Sequence, residues 1–236
     1  MSQVDPKETD VKISETYNAD DADLVLVSSD EIHFKVHSYH LKSASIVFRA
    51  MLDSPDVNVK KGDQPLPIIY LTDNDIETAE VLKGALDILY HKPFPTEIGE
   101  YRDELRKIIP FLRKYECDGS IEGIRSLLHR WITYSDVGAW SAFLVSAGTE
   151  DIVTCYRAMY SASELDISAE GGPQGFRESS TVFDLGSLSL ERFCQIPGPI
   201  AWAILRATNS RPTSTKKWDE IADDFLELFG VEDNQP

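Results

Sequence analysis

Between Leu24 and Val36 the hydrophobic pattern changes period. Leu24-Val25-Leu26-Val27 is apolar without a break, and Ser28-Ser29-Asp30 then interrupts it. Ile32, Phe34 and Val36 follow, alternating with His33, Lys35 and His37. An unbroken run predicts a buried strand, and strict alternation predicts a half-buried one, so the pair reads as a hairpin. Two strands cannot bury their own apolar faces, and the next segments supply what covers them. Ser38 can cap a short helix through Leu41. Ser43 or Ser45 can cap a second helix carrying Ile46, Val47, Phe48, Met51 and Leu52.

A polar loop, Val57 to Pro67, leads to a third strand at Ile68-Ile69-Tyr70-Leu71. Asp73 or Asp75 is then expected to cap a long helix. Ile76, Ala79, Val81, Leu82, Ala85, Leu86, Leu89 and Tyr90 fit its 3.6-residue period. A further helical stretch runs from about Glu100 to Tyr115. Pro110 lies inside it and predicts a kink or two helices. Ile121, Ile124, Leu127, Leu128, Trp131 and Ile132 form another amphipathic stripe. From about Ser135 onward the chain reads as all-helical. Interruptions are expected near Gly148 and at Pro197-Gly198-Pro199, and a loop near 169–180. The fold class is α+β, a small sheet capped by helices and followed by an all-helical C-terminal region.

Charge narrows the function classes. The 236 residues carry 23 Lys and Arg against 40 Asp and Glu, a net charge of −17. A phosphate backbone or an anionic leaflet is repelled by such a surface, so direct binding of nucleic acid or membrane is not expected. The first twenty residues hold five acidic and two basic side chains and read as a flexible arm. Within it, Val11-Lys12-Ile13 could form a short edge strand. Cys117, Cys155 and Cys194 are three in number and far apart. They read as reduced, small buried hydrophobes, which together with the N-terminal composition points to an intracellular protein, cytoplasmic or nuclear.

The search for chemistry finds little. No nucleophile elbow, zinc-protease helix or P-loop pattern is present. His33, His37 and His40 are three histidines within eight residues and define the one alternative enzyme reading, a metal centre. No carboxylate or cysteine lies at ligand spacing beside them. The expectation is a non-enzymatic chain without cofactor or metal.

The residues also resemble a known family. Asp23-Leu24-Val25-Leu26-Val27, then Phe34-Lys35-Val36-His37-Ser38-Tyr39-His40-Leu41, then Ser45 to Leu52 are similar to the opening of the BTB/POZ domain. Leu86-Asp87-Ile88-Leu89-Tyr90 and Leu112-Arg113-Lys114-Tyr115 resemble its later helix ends. The resemblance spans about residues 20–132 and places a domain at 21–132, with 1–20 as arm and 133–236 as a helical extension similar to that of many fungal members. It implies a core signature of Asp23, Phe34, His37, Leu41, Phe48, Tyr90 and Tyr115. An ionised Asp23 beside the strand needs a partner, and His37 is the expected one.

The resemblance further implies a protein–protein interaction module with protein partners, dimerising through its first helices and N-terminal segment. Tyr39, Ser43, Val47 and Phe48 are the expected self-association residues, Val47 and Phe48 reading equally well as internal core. It also allows an adaptor role for a cullin-type ubiquitin ligase, with Phe94, Glu97 and Tyr101 as the scaffold contact. Two departures stand out. Ser38 occupies the place where many members carry Arg or Lys lining a charged groove, and Phe94-Pro95-Thr96-Glu97 is one residue off the cullin-binding spacing. The remaining alternative is a transcription-associated scaffold that acts through a separate DNA-binding partner.

Overall fold

The computed structural model describes residues 11–54, 66–94, 98–134, 136–161, 183, 185–209 and 218–231. The chain forms two compact units. One comprises residues 1–94 and 107–121, the other 95–106 and 122–236. The division falls inside two helices, whereas the sequence reading draws its boundary at 132/133.

The first unit is built on a four-stranded sheet: β1 (Ile13–Asn18), β2 (Leu24–Val27), β3 (His33–Val36) and β4 (Ile68–Tyr70), in the order β1-β3-β2-β4. β2 and β3 form the expected antiparallel hairpin, with Leu24 opposite Val36 and Leu26 opposite Phe34. β4 runs parallel to β2. All four residues of β2 are buried because it is an inner strand covered on both faces. The turn closes with Ser28 N–H donating to Ile32 O at 3.0 Å, and Glu31 takes a φ of 65° to complete it.

Part of the expected arm is therefore ordered. β1 joins the sheet parallel to β3, with its register slipping between Ile13 and Asn18. Tyr17 is its one buried residue. A single buried anchor leaves almost no periodic trace, so the composition-based expectation of a flexible arm over 1–20 is corrected for residues 13–18.

Helices α1 (Ser38–Ala44), α2 (Ile46–Asp53) and α3 (Ala79–Leu89) accompany the sheet. Leu41, Phe48, Leu82, Leu86 and Leu89 are buried at the core positions expected of them, whereas Met51, expected there too, is half-buried and Leu52 is buried instead. α2 takes its cap from Ser45, whose Oγ accepts from Phe48 N–H at 2.9 Å. α3 starts later than expected. Neither Asp73 nor Asp75 caps it: Thr78 is the N-cap, its Oγ1 accepting from Val81 N–H at 3.5 Å, and Asp30 of the hairpin turn accepts from Ala79 N–H at 2.7 Å. Residues 74–76 form a turn ahead of the helix.

α4 (Ile98–Lys114) and α5 (Asp118–Tyr134) each run unbroken, α4 straight through Pro110 as one helix. The split expected at Pro110 is thus corrected to one continuous element. The second unit also contains α6 (Asp136–Gly148), α7 (Ile152–Ser161), the short α8 (Leu190–Phe193), α9 (Gly198–Asn209) and α10 (Trp218–Leu228). A single 3-10 turn spans Leu185–Ser187. α6 is apolar nearly all round and its described side chains from Ala139 to Ala147 are buried, as befits a central helix. Pro197-Gly198-Pro199 opens α9 and does not interrupt a helix: Ala201 N–H donates to Pro197 O at 2.9 Å. Proline suits a first turn because its missing N–H has no helical partner there. The loop expected near 169–180 lies outside the described residues.

Three helix ends share one device. After α3, α4 and α6 the chain enters the left-handed region at His91 (φ 54°), Glu116 (φ 49°) and Glu150 (φ 58°). Lys92, Cys117 and Asp151 then donate back to the carbonyls of Asp87, Leu112 and Ser146. This is a Schellman closure without its usual glycine.

Candidate interaction face

α1 and α2 each carry an exposed large apolar side chain, as do β1 and β4 of the same unit. Tyr39 is 74% exposed and Ile46 61% exposed, Ser43 is exposed and Val47 half-buried. Phe48 is fully buried, its ring stacked on Tyr115 with centroids 4.3 Å apart. Phe48 thus belongs to the core alone and is corrected as a self-association residue. On a helix that begins at Ile46, position 48 turns inward while 46 turns out, so sequence reasoning missed Ile46.

Both helices are held firmly in place. Asp23 fixes the start of α1: Ser38 N–H donates to its Oδ1 and Ser38 Oγ–H to its Oδ2, both at 2.6 Å. The partner of Asp23 is therefore Ser38, not His37, and the serine that replaces a basic residue is what satisfies the carboxylate. The Arg49 guanidinium donates twice to Lys42 O, at 3.0 and 2.8 Å, and Lys42 Nζ pairs with Asp53 at 2.6 Å. These bonds clamp α2 against α1. Ser45 donates to Tyr115 O, tying the α1–α2 junction to the end of α4.

Tyr90 and the histidines sit beside α1. His37 N–H donates to Tyr90 Oη at 2.7 Å, and His37 Nδ1 lies 3.1 Å from the same oxygen. His37 Nε2 is 3.2 Å from Asp21. His40 stacks on the Tyr90 ring at 4.0 Å. Burial, then His37 and His91, hold the His40 pKa below its ordinary value. His33 lies on another flank. It borders an open groove of about 540 Å³ at one end of the sheet, together with Lys12, Asp30, Glu31 and Tyr70. Among the described residues no three His, Cys, Asp or Glu side chains come together as a metal site.

A buried carboxylate was not legible in the sequence. Glu77 is 2% exposed. Its Oε2 accepts from Thr72 N–H at 2.6 Å and Asp73 N–H at 2.7 Å. Its Oε1 accepts from Tyr115 Oη–H at 2.6 Å and lies 2.7 Å from Lys114 Nζ. Burial alone would raise its pKa; the Lys114 and Tyr115 donors outweigh that and hold it below the ordinary carboxylate range. In a chain with forty acidic residues, nothing local marks this one.

Phe94 is half-buried, Tyr101 is buried at 7%, and Glu97 lies outside the described residues. Phe34, Leu41 and Tyr115 are buried core, as expected, and Asp23, His37 and Tyr90 are half-buried. Cys117 and Cys155 are buried, whereas Cys194 is exposed, which corrects its reading as a core residue. Among the described residues no helix is long and apolar enough to cross a membrane.

A small sheet covered by helices, with apolar side chains turned outward on two clamped helices, describes a protein-interaction module. Residues 14–130 match the family model of the BTB/POZ domain, and through this segment the chain belongs to the BTB/POZ family. That family is one of protein–protein interaction and is generally non-enzymatic. No curated protein and no solved structure matches the chain.

Proposed function

We propose that the chain is a homodimerising interaction module whose self-association face is formed by Tyr39, Ser43, Ile46 and Val47. The observation that carries this reading is the exposure of Tyr39 and Ile46 on helices that the Asp23, Ser45 and Arg49 contacts lock in position. Large apolar side chains on rigid, fully hydrogen-bonded elements lose little entropy on binding, which favours association. The net charge of −17 favours further partners with neutral or basic surfaces.

An adaptor role, bridging a partner to a cullin-type ligase scaffold, is the finer reading and rests on the family alone. Tyr101 is too buried to offer contact area, so such a contact would depend on Phe94 and Glu97. The test is a pair of variants, Tyr39→Glu and Ile46→Glu, compared with the parent by sedimentation velocity. Both are expected to sediment as single chains with unchanged circular dichroism. A dimer that survives both substitutions contradicts the assigned face. For the finer reading, a purified cullin N-terminal region at micromolar concentration is expected to co-elute with the chain, and separate elution removes the adaptor role.

A further inference from the structure

α5 and α7 meet along a polar seam inside the second unit. Asp151, in the turn that opens α7, anchors it. Its carbonyl accepts from Cys155 N–H at 3.1 Å, and its Oδ2 lies 2.7 Å from Arg125 Nε of α5. Thr154 Oγ–H donates to the same Oδ2 at 3.1 Å. With its one hydrogen spent there, the threonine oxygen can only accept from His129 Nε2 of α5, 3.5 Å away. The other ring nitrogen, Nδ1, lies 3.4 Å from Arg157 Nη1 of α7.

These contacts define a protonation state. A guanidinium has donors and no acceptor, and it keeps its proton at any pH a protein meets. Nδ1 must therefore be bare, which leaves the ring proton on Nε2, facing Thr154. Every bond then runs one way: Arg157 to His129, His129 to Thr154, Thr154 to Asp151. The series is complete only while His129 is neutral. A proton on Nδ1 finds no lone pair opposite it and sets two cations side by side.

We propose that His129 is an acid-sensitive pin of the α5–α7 seam: neutral, it holds Arg157 against α5; protonated, it expels Arg157 and loosens the start of α7. Four charged groups act on the ring. Arg157 and Arg125 oppose a second cation, and Asp151 and Glu122 favour one. Both carboxylates are engaged by Arg125. Burial is the largest influence and Arg157 the next, and they hold the His129 pKa below its ordinary value. The fold thus selects the neutral ring. Its stabilisation is whole above the ordinary histidine value and is lost as pH falls from there to the folded pKa.

The test uses the full chain and reads ring and helix separately. The seam shares no residue with the self-association face, so the outcome does not depend on the function proposed above. Proton NMR follows the five histidines, with His129 assigned by its absence in His129→Gln. It is expected to titrate below the ordinary histidine value, and Arg157→Met is expected to raise its pKa. Amide hydrogen exchange, corrected for intrinsic rates, compares residues 154–158 with 201–207 of α9 at pH 7.5 and 5.0. Protection of 154–158 is expected to fall about fivefold more than that of α9. Glutamine offers an oxygen to Arg157 and an N–H to Thr154 without titrating, so His129→Gln is expected to lose that excess fall.

Equal falls in the two helices of the parent overturn the proposal. So does an excess fall that persists in His129→Gln, or a His129 that titrates at or above the ordinary histidine value. An unchanged His129 pKa in Arg157→Met overturns it as well. If Arg157→Met does not fold, the parent titration and the His129→Gln exchange decide.

Discussion

At the scale of residues, the first unit depends on polar groups that are buried and fully satisfied. Glu77 carries the most. Its four donors come from the loop after β4 and from the end of α4, so one carboxylate closes a long-range connection. Glu77→Ala is expected to destabilise the unit by about 3 kcal/mol in urea unfolding, because Tyr115 and two backbone N–H groups lose their acceptor. The same group sets an acid response. Its folded pKa lies below the unfolded value, so its stabilisation is present above the ordinary carboxylate range and is lost as pH falls through the folded pKa. Unfolding followed from pH 6 downward is expected to show a steeper loss in the parent than in Glu77→Gln. Parallel curves would remove the assignment. Phe48 is the apolar counterpart: fully buried and stacked on Tyr115, it is expected to cost about 3–5 kcal/mol as Phe48→Ala.

At the scale of elements, what could be read from the sequence followed periodicity. The β2–β3 hairpin, a serine cap for α2 and the stripe of α3 are legible because their spacing repeats. What could not be read lacks a repeat or is decided from elsewhere in the chain. β1 has one buried side chain, Tyr17, whose hydroxyl reaches Asp87 at 2.7 Å. The first N–H of α3, at Ala79, is taken by Asp30, forty-nine positions away in the chain. The ends of α3, α4 and α6 are set by non-glycine residues in the left-handed region, so the usual stop signal is missing. Glu116→Gly is expected to stabilise the α4 end by about 1 kcal/mol, read as a rise in urea midpoint, since glycine adopts that φ without steric cost. In the opposite direction, a Cβ at Gly84 would lie 2.5 Å from Ile108 Cδ1. Gly84→Val is expected to overpack the α3–α4 contact and cost about 1–3 kcal/mol.

For the whole molecule, the face is less legible than the fold. Sequence reasoning names Tyr39 and Ser43, which are exposed, and Phe48, which is core; it omits Ile46. The family pattern places helices reliably, but which side of a short helix faces out depends on the residue at which it starts. The charge of −17 acts at this scale too, since two like-charged chains repel. Self-association through Tyr39 and Ile46 is therefore expected to strengthen with added salt, which screens the repulsion and leaves apolar contact intact. The most direct measurement is the light-scattering mass of the full chain at pH 7.5 across the micromolar range. The account predicts the mass of two chains, reached at lower concentration in higher salt. A mass of one chain at every concentration and salt would contradict it.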